Sequence, residues 1–176
     1  MAKESIWIGV ALLAAVAGWT DWKSRRIPNW LTVPGLLLGV AANSAAYGWS
    51  GTRDSLLGAA LGLILLLPPV MIRVLGAGDW KLVGAVGAFL GPHNLIVVLL
   101  LSVFVNGIIA AVMIVQKHRV AQTLSNIGHM LGSLLTLNPP GPDLTLDNPD
   151  SVKVPFGVAA AIAVLAYSAY HFWGVS

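Results

Sequence analysis

Apolar runs long enough to cross a lipid bilayer recur along this chain, and no other feature limits its fold as tightly. About 20 such residues suffice for one helical crossing. Of its 176 residues 57% are hydrophobic, against ten Lys/Arg and seven Asp/Glu. A soluble domain of this size needs more polar surface than those can supply, and the mean hydropathy of +0.81 agrees. The reading is a single all-α integral membrane domain over 1–176 with the lipid bilayer as its solvent. A formal net charge of +3 suits such a protein without a nucleic-acid partner, because basic residues of membrane proteins collect in cytoplasmic loops. No cysteine is present, which excludes disulfides, thiolate metal sites and a cysteine nucleophile.

The hydropathy pattern predicts six transmembrane helices at about 5–21, 30–48, 55–75, 81–92, 94–115 and 154–173. Between the last two, Val120, Leu124, Ile127, Leu131 and Leu134 recur at helical spacing beside polar residues. They predict a short amphipathic helix on the cytoplasmic surface, followed by a proline-broken polar loop up to residue 153. The run Ile6–Thr20 reads as a span and not a cleaved leader, since its strong basic cluster, Lys23, Arg25 and Arg26, follows it. With six crossings and the first loop cytoplasmic, Lys23, Arg25, Arg26, Arg73, Lys81, Lys117, Arg119 and Lys153 lie inside and only Lys3 and Arg53 outside. If 81–92 were re-entrant the division would be five to five, so the positive-inside rule favours six crossings. Gly35/Gly39 and Gly58/Gly62 are spaced for close helix approach, and Pro68-Pro69 predicts a kink in the third span.

Few acids invite chemistry. Glu4 and Asp54 end spans on the outer side, and Asp143, Asp147 and Asp150 fall in the polar loop, where solvated acids are ordinary. Asp21 and Asp79 differ, because odd numbers of crossings bring both to the cytoplasmic boundary from separate helices. Gly76 and Gly78, before Asp79, let backbone approach a substrate or helix without a Cβ in the way. His93, His118, His129 and His171 are scattered without metal-ligand spacing, so neither metal nor cofactor is expected.

The run Asp21-Trp22-Lys23-Ser24-Arg25-Arg26-Ile27-Pro28-Asn29 resembles the first catalytic-aspartate motif of the type IV prepilin peptidases. Gly76-Ala77-Gly78-Asp79-Trp80-Lys81 resembles their second, Gly-x-Gly-Asp followed by Lys, and Val154-Pro155-Phe156-Gly157 is similar to a third family feature. The resemblance implies a multi-pass enzyme of the bacterial inner membrane with Asp21 and Asp79 as a catalytic pair at the cytoplasmic face. It also implies a partner: a prepilin or pseudopilin precursor whose basic leader is removed where its apolar helix begins. The short form resembles the tight-adherence (Flp) branch. With no N-terminal methyltransferase segment evident and no cysteine, peptidase activity alone is expected. Other Gly-x-Gly-Asp proteases of the preflagellin or signal-peptide-peptidase type share this chemistry, although Ile27-Pro28-Asn29 favours the prepilin branch. A transporter or channel component would be expected to show repeated halves or mid-membrane charges.

Two carboxylates that share one proton divide the work of hydrolysis, one activating water and the other polarising the scissile carbonyl. The residues alone do not say which is which. Lys81 stands close enough in sequence to influence Asp79, or serves as an ordinary inner-face lysine.

Overall fold

The computed structural model describes residues 2–116 and 155–173, with Thr123 and Gly128 between them. The expected amphipathic helix and polar loop otherwise lie outside the described residues, as do Asp143, Asp147 and Asp150. All regular structure described is helical: α1, Ala2–Ser24; α2, Asn29–Met71; α3, Ala77–Gln116; and α4, Phe156–Trp173. Each is long and apolar enough to cross a membrane. The six expected segments are therefore carried by four helices, two of which are broken at a single residue.

Those breaks are glycines. Gly48 in α2 has φ 61° and ψ −140°, and Gly91 in α3 has φ 71° and ψ 176°, conformations a Cβ would strain. The expected segment ends at 48 and 92 fall on or beside them. The chain folds back at both. Asn43 and Ser55 stand on opposite sides of Gly48, yet both bond the Ala88 carbonyl. In a straight helix those two residues would be about 18 Å apart. Around Gly91, a Cβ on Gly87 would lie 3.0 Å from the Leu95 side chain.

A break in a buried helix frees carbonyls that must find new donors. Pro92 has no N–H, so the Ala88 carbonyl loses its helical partner. It receives Ser55 Oγ at 2.5 Å and Asn43 Nδ2 at 3.0 Å, and Asn43 Nδ2 also reaches the Phe89 carbonyl at 3.0 Å. Asn94 Nδ2 serves the Leu90 carbonyl. At the other break, Thr52 Oγ1 donates to the Gly48 carbonyl and meets Ser44 Oγ at 2.6 Å. Asn43 and Ser55 are both buried.

Close packing holds the folded-back arms together. A Cβ on Gly39 would lie 2.9 Å from the backbone of Ala88 and Phe89, and one on Gly58 would fall on the Gly87 carbonyl oxygen. Helix α1 runs antiparallel to α4, with Asp21 beside Gly157 at one end and Trp7 stacked on His171 at 4.2 Å at the other. Val10, Leu82, Leu95, Val98 and Val164 fill the space among α1, α3 and α4. At Pro68-Pro69 the backbone angles stay helical and the helix ends at Met71, so the prolines stand in its last turn without a break like those at Gly48 and Gly91.

Replacing Ser55 with Ala, or Asn43 with Leu, strands carbonyls at the Gly91 break. Each is expected to cost about 1–3 kcal/mol and to lower the melting temperature in detergent. Gly58→Leu is expected to cost more, because no rotamer removes its Cβ from the Gly87 carbonyl. Unchanged melting in all three would show that the breaks are sealed some other way.

Candidate active site

One end of the bundle gathers the end of α1, the starts of α2, α3 and α4, and the two short links before α2 and α3. Asp21 lies in the last turn of α1 and is buried, 6% exposed. That helix closes as Arg25 turns into the left-handed region (φ 52°) and its N–H bonds the Asp21 carbonyl at 2.8 Å. Ser24 Oγ adds a bond to the Thr20 carbonyl. The link then drives Ile27 inward to 8% exposure. Pro28 follows in an extended conformation (φ −77°, ψ 148°) and its carbonyl receives the Leu31 N–H, opening α2. Proline at that point fixes the entry angle and gives up no needed donor.

Asp79 is set in the first turn of α3. The turn before it, with Arg73 at φ 58°, is tied back to α2 through bonds from Val74 and Leu75 to the Pro69 carbonyl. The Gly76 carbonyl receives the Trp80 N–H, which starts the helix, and Trp80 Nε1 donates to the Leu63 carbonyl at 2.6 Å. A Cβ on Gly78 would lie 3.1–3.3 Å from the backbone and Cβ of Ile27. Gly78 therefore serves contact between this turn and the link before α2. Gly76 differs: among the described residues, a Cβ placed there would have the Asp79 carboxyl within 4 Å, with Oδ2 at 3.0 Å.

Gly157, at the second position of α4, completes the site. Its N–H donates to Asp21 Oδ2 at 2.9 Å. A Cβ there would lie 2.9 Å from both Asp21 Cβ and Ile27 Cδ1, so only glycine allows this approach. Ile27 thus touches Gly157 and Asp21 with its side chain's surroundings and Gly78 with its backbone. The charge on Asp21 bears electrostatically on Asp79. Lys81 Nζ donates to Asn29 Oδ1 at 2.9 Å, joining α3 to the first residue of α2.

The structure therefore brings together Asp21, Asp79, Ile27, Pro28, Asn29, Gly76, Gly78, Lys81 and Gly157. Pro155 is buried before α4, and Phe156 packs against the core. Asp54 and Glu4 are exposed, and Asp54 sits by Gly91 at the opposite end. Two roles were missed by sequence reasoning. Gly157 enters the sequence analysis only as part of a family feature, and the structure makes it a donor to Asp21; the available signal was a helix start after proline with no side chain able to cap it. Lys81, left open in the sequence between Asp79 and an ordinary inner-face lysine, bonds Asn29, a pairing across 52 residues that no local pattern reveals.

Residues 7–111 match the model of the type IV leader peptidase family. A prepilin leader peptidase/N-methyltransferase of Myxococcus xanthus is 32% identical over 124 residues, covering 66% of this chain and 36% of the relative. Another, from Xanthomonas campestris, is 27% identical over 114 residues, covering 61% and 39%. The chain thus spans less than two-fifths of the length of these curated relatives. No solved structure matches it.

Ile27 is the contact on which three elements of the site converge, so its truncation should loosen all of them. Ile27→Ala is expected to cost about 2–5 kcal/mol and Ile27→Val about 0.5–1.5, read as lowered melting temperature in detergent. Equal, negligible losses would mean that Ile27 is no keystone.

Proposed function

Because the chain belongs to the type IV leader peptidase family, we propose that it is an aspartic endopeptidase that removes the leader of type IV prepilins, with Asp21 and Asp79 as its catalytic pair. The observation that carries this reading is the convergence at one bundle end. Asp21 at the end of α1 is bonded by Gly157 of α4, and Ile27 of the link stands between Gly157 and Gly78, the residue before Asp79. Two carboxyls in mutual electrostatic reach can share one proton, which hydrolysis of a peptide bond requires. The carboxylate takes a proton from water as the water oxygen bonds the scissile carbon. The carboxylic acid donates to the carbonyl oxygen, and the amine then leaves with a proton. The motif order resembles the tight-adherence branch, so Flp-like prepilins are the first substrates to try.

The same reading sets the dyad at the cytoplasmic face of the inner membrane. Lys23, Arg25, Arg26, Arg73 and Lys81 all flank the dyad end, while Arg53 lies near the Gly48 break at the other. That asymmetry supports a cytoplasmic dyad. The fold-back at Gly48 and Gly91 supports six crossings, with each of α2 and α3 forming two.

Asp21→Asn and Asp79→Asn are each expected to lower leader cleavage by at least about 100-fold, with the protein still accumulating in membranes. Co-expression with a prepilin and a gel of leader removal reads the result. Substantial cleavage by either variant would sink the aspartyl mechanism.

Topology has its own test, and the absence of native cysteine makes it clean. In intact cells an impermeant thiol reagent should label Ser50→Cys but not Ser24→Cys or Gln116→Cys. Labelling of Gln116→Cys from outside would contradict two crossings by α3.

A further inference from the structure

We infer that the first turn of α4 fixes Asp21 as the ionised member of the pair, so that Asp21 activates the water and Asp79 carries the shared proton to the substrate carbonyl. The inference rests on the reading of these aspartates as a peptidase dyad and deepens it by assigning the two roles.

The argument begins with an uncapped helix. The N–H groups in the first turn of α4 have no partner within that helix, and Pro155 before it has no side-chain acceptor to offer. The Gly157 N–H goes instead to a carboxyl oxygen of another helix, Asp21 Oδ2 at 2.9 Å, in a buried setting. A carboxylate accepts such a bond about twice as strongly as a neutral acid. The positive end of an 18-residue helix favours negative charge at that place as well. Both effects act on Asp21, and both depend on glycine at 157, where a Cβ would strike Asp21 itself.

The second glycine of interest shows the opposite arrangement. At Gly157 the room left by the missing side chain is filled by Asp21 and Ile27; at Gly76, among the described residues, it is bordered by the Asp79 carboxyl. A substrate carbonyl approaching on the Gly76 side would meet the Asp79 O–H. Asp21 takes two backbone N–H groups from the start of α4, those of Gly157 and Val158, where Asp79 takes one, that of Gly76. Asp21 suits the fixed base, Asp79 the acid that meets the substrate.

The steps balance on this assignment. The Asp21 carboxylate removes a proton from water as the water oxygen bonds the carbonyl carbon, and the Asp79 proton passes to the carbonyl oxygen. The C–N bond of the resulting diol then breaks. The amine nitrogen takes the proton held by Asp21, and a diol proton returns to Asp79, restoring both groups. Among the described residues, the charge bearing on Asp21 is that of Arg25 on its own helix, and Asp21 in turn bears on Asp79 on α3. From α4 it meets the backbone of Gly157 and Val158, and from the link the Ile27 side chain.

The test measures the pH profile of kcat/KM for prepilin cleavage by the full-length enzyme in detergent. Asp21→Asn and Asp79→Asn serve as controls that establish the dyad separately. The informative variant replaces the Phe156–Gly157 amide with an ester by joining a synthetic C-terminal segment, which deletes the N–H and adds no bulk. Loss of a donor to the carboxylate form should move the acid limb to higher pH by about one unit and leave the alkaline limb in place. Gly157→Ala, which pushes Asp21 away from the donor, should shift the same limb if it folds. Movement of the alkaline limb would make Asp79 the base and overturn the assignment. An unmoved profile with the ester would overturn it too, since the Gly157 N–H would then be irrelevant to which carboxyl is ionised. Cleavage that survives both Asp→Asn controls would instead sink the dyad reading, so the two failures are distinct.

Discussion

A buried backbone polar group costs free energy unless it finds a partner, and this structure is arranged around meeting that demand where helices stop or break. At Gly91 the carbonyls of Ala88 and Phe89 are taken up by Ser55 and Asn43 from the two arms of α2. At the start of α4 the need is for an acceptor, and the side chain that supplies one is Asp21. The same requirement thus ties α2 to α3 at one end and α1 to α4 at the other. Small residues make both ties possible. Gly39 and Gly157 each stand where a Cβ would collide with the residue being reached.

Much of this was legible in the sequence for reasons that can be named. Helical spans are written in composition over long windows, so their number of apolar segments and the breaks near 48 and 92 could be read locally. Asp21 and Asp79 stood out because charge is expensive near hydrocarbon and these two shared a depth. Their neighbours Ile27, Pro28, Asn29, Gly76 and Gly78 came with them as motifs. What could not be read was which distant backbone each small residue touches. Gly78 presses on Ile27, and Lys81 reaches Asn29, contacts that exist only once α2 and α3 have packed. Pro68-Pro69 stands in the last turn of its helix, which ends three residues on from Pro68 at Met71.

The link between α1 and α2 explains why so short a motif matters. Between Ser24 and Asn29 the chain leaves one helix, buries Ile27 and enters another, with Arg25 in a left-handed turn and Pro28 extended. Ile27 reports on all of its neighbours at once: its side chain lies by Gly157 and its backbone by Gly78. The Lys81–Asn29 bond then fastens the entry of α2 to α3 on the exposed side. The site is held from within by an apolar wedge and from without by one polar tie.

Placing the two aspartates on different helices has a physical advantage over placing them on one. Carboxylates at i and i+4 of a single helix are held about 5–6 Å apart at Cβ by the helix itself, so packing cannot adjust them. On α1 and α3 the separation is set by packing instead: the bulk at position 27, the absence of bulk at 78 that meets it, and the donor at 157 beside it. None of the three is itself a titrating group. The electrostatics of a dyad can then be shaped by side-chain volume and backbone position, without adding charges that a membrane boundary would resist.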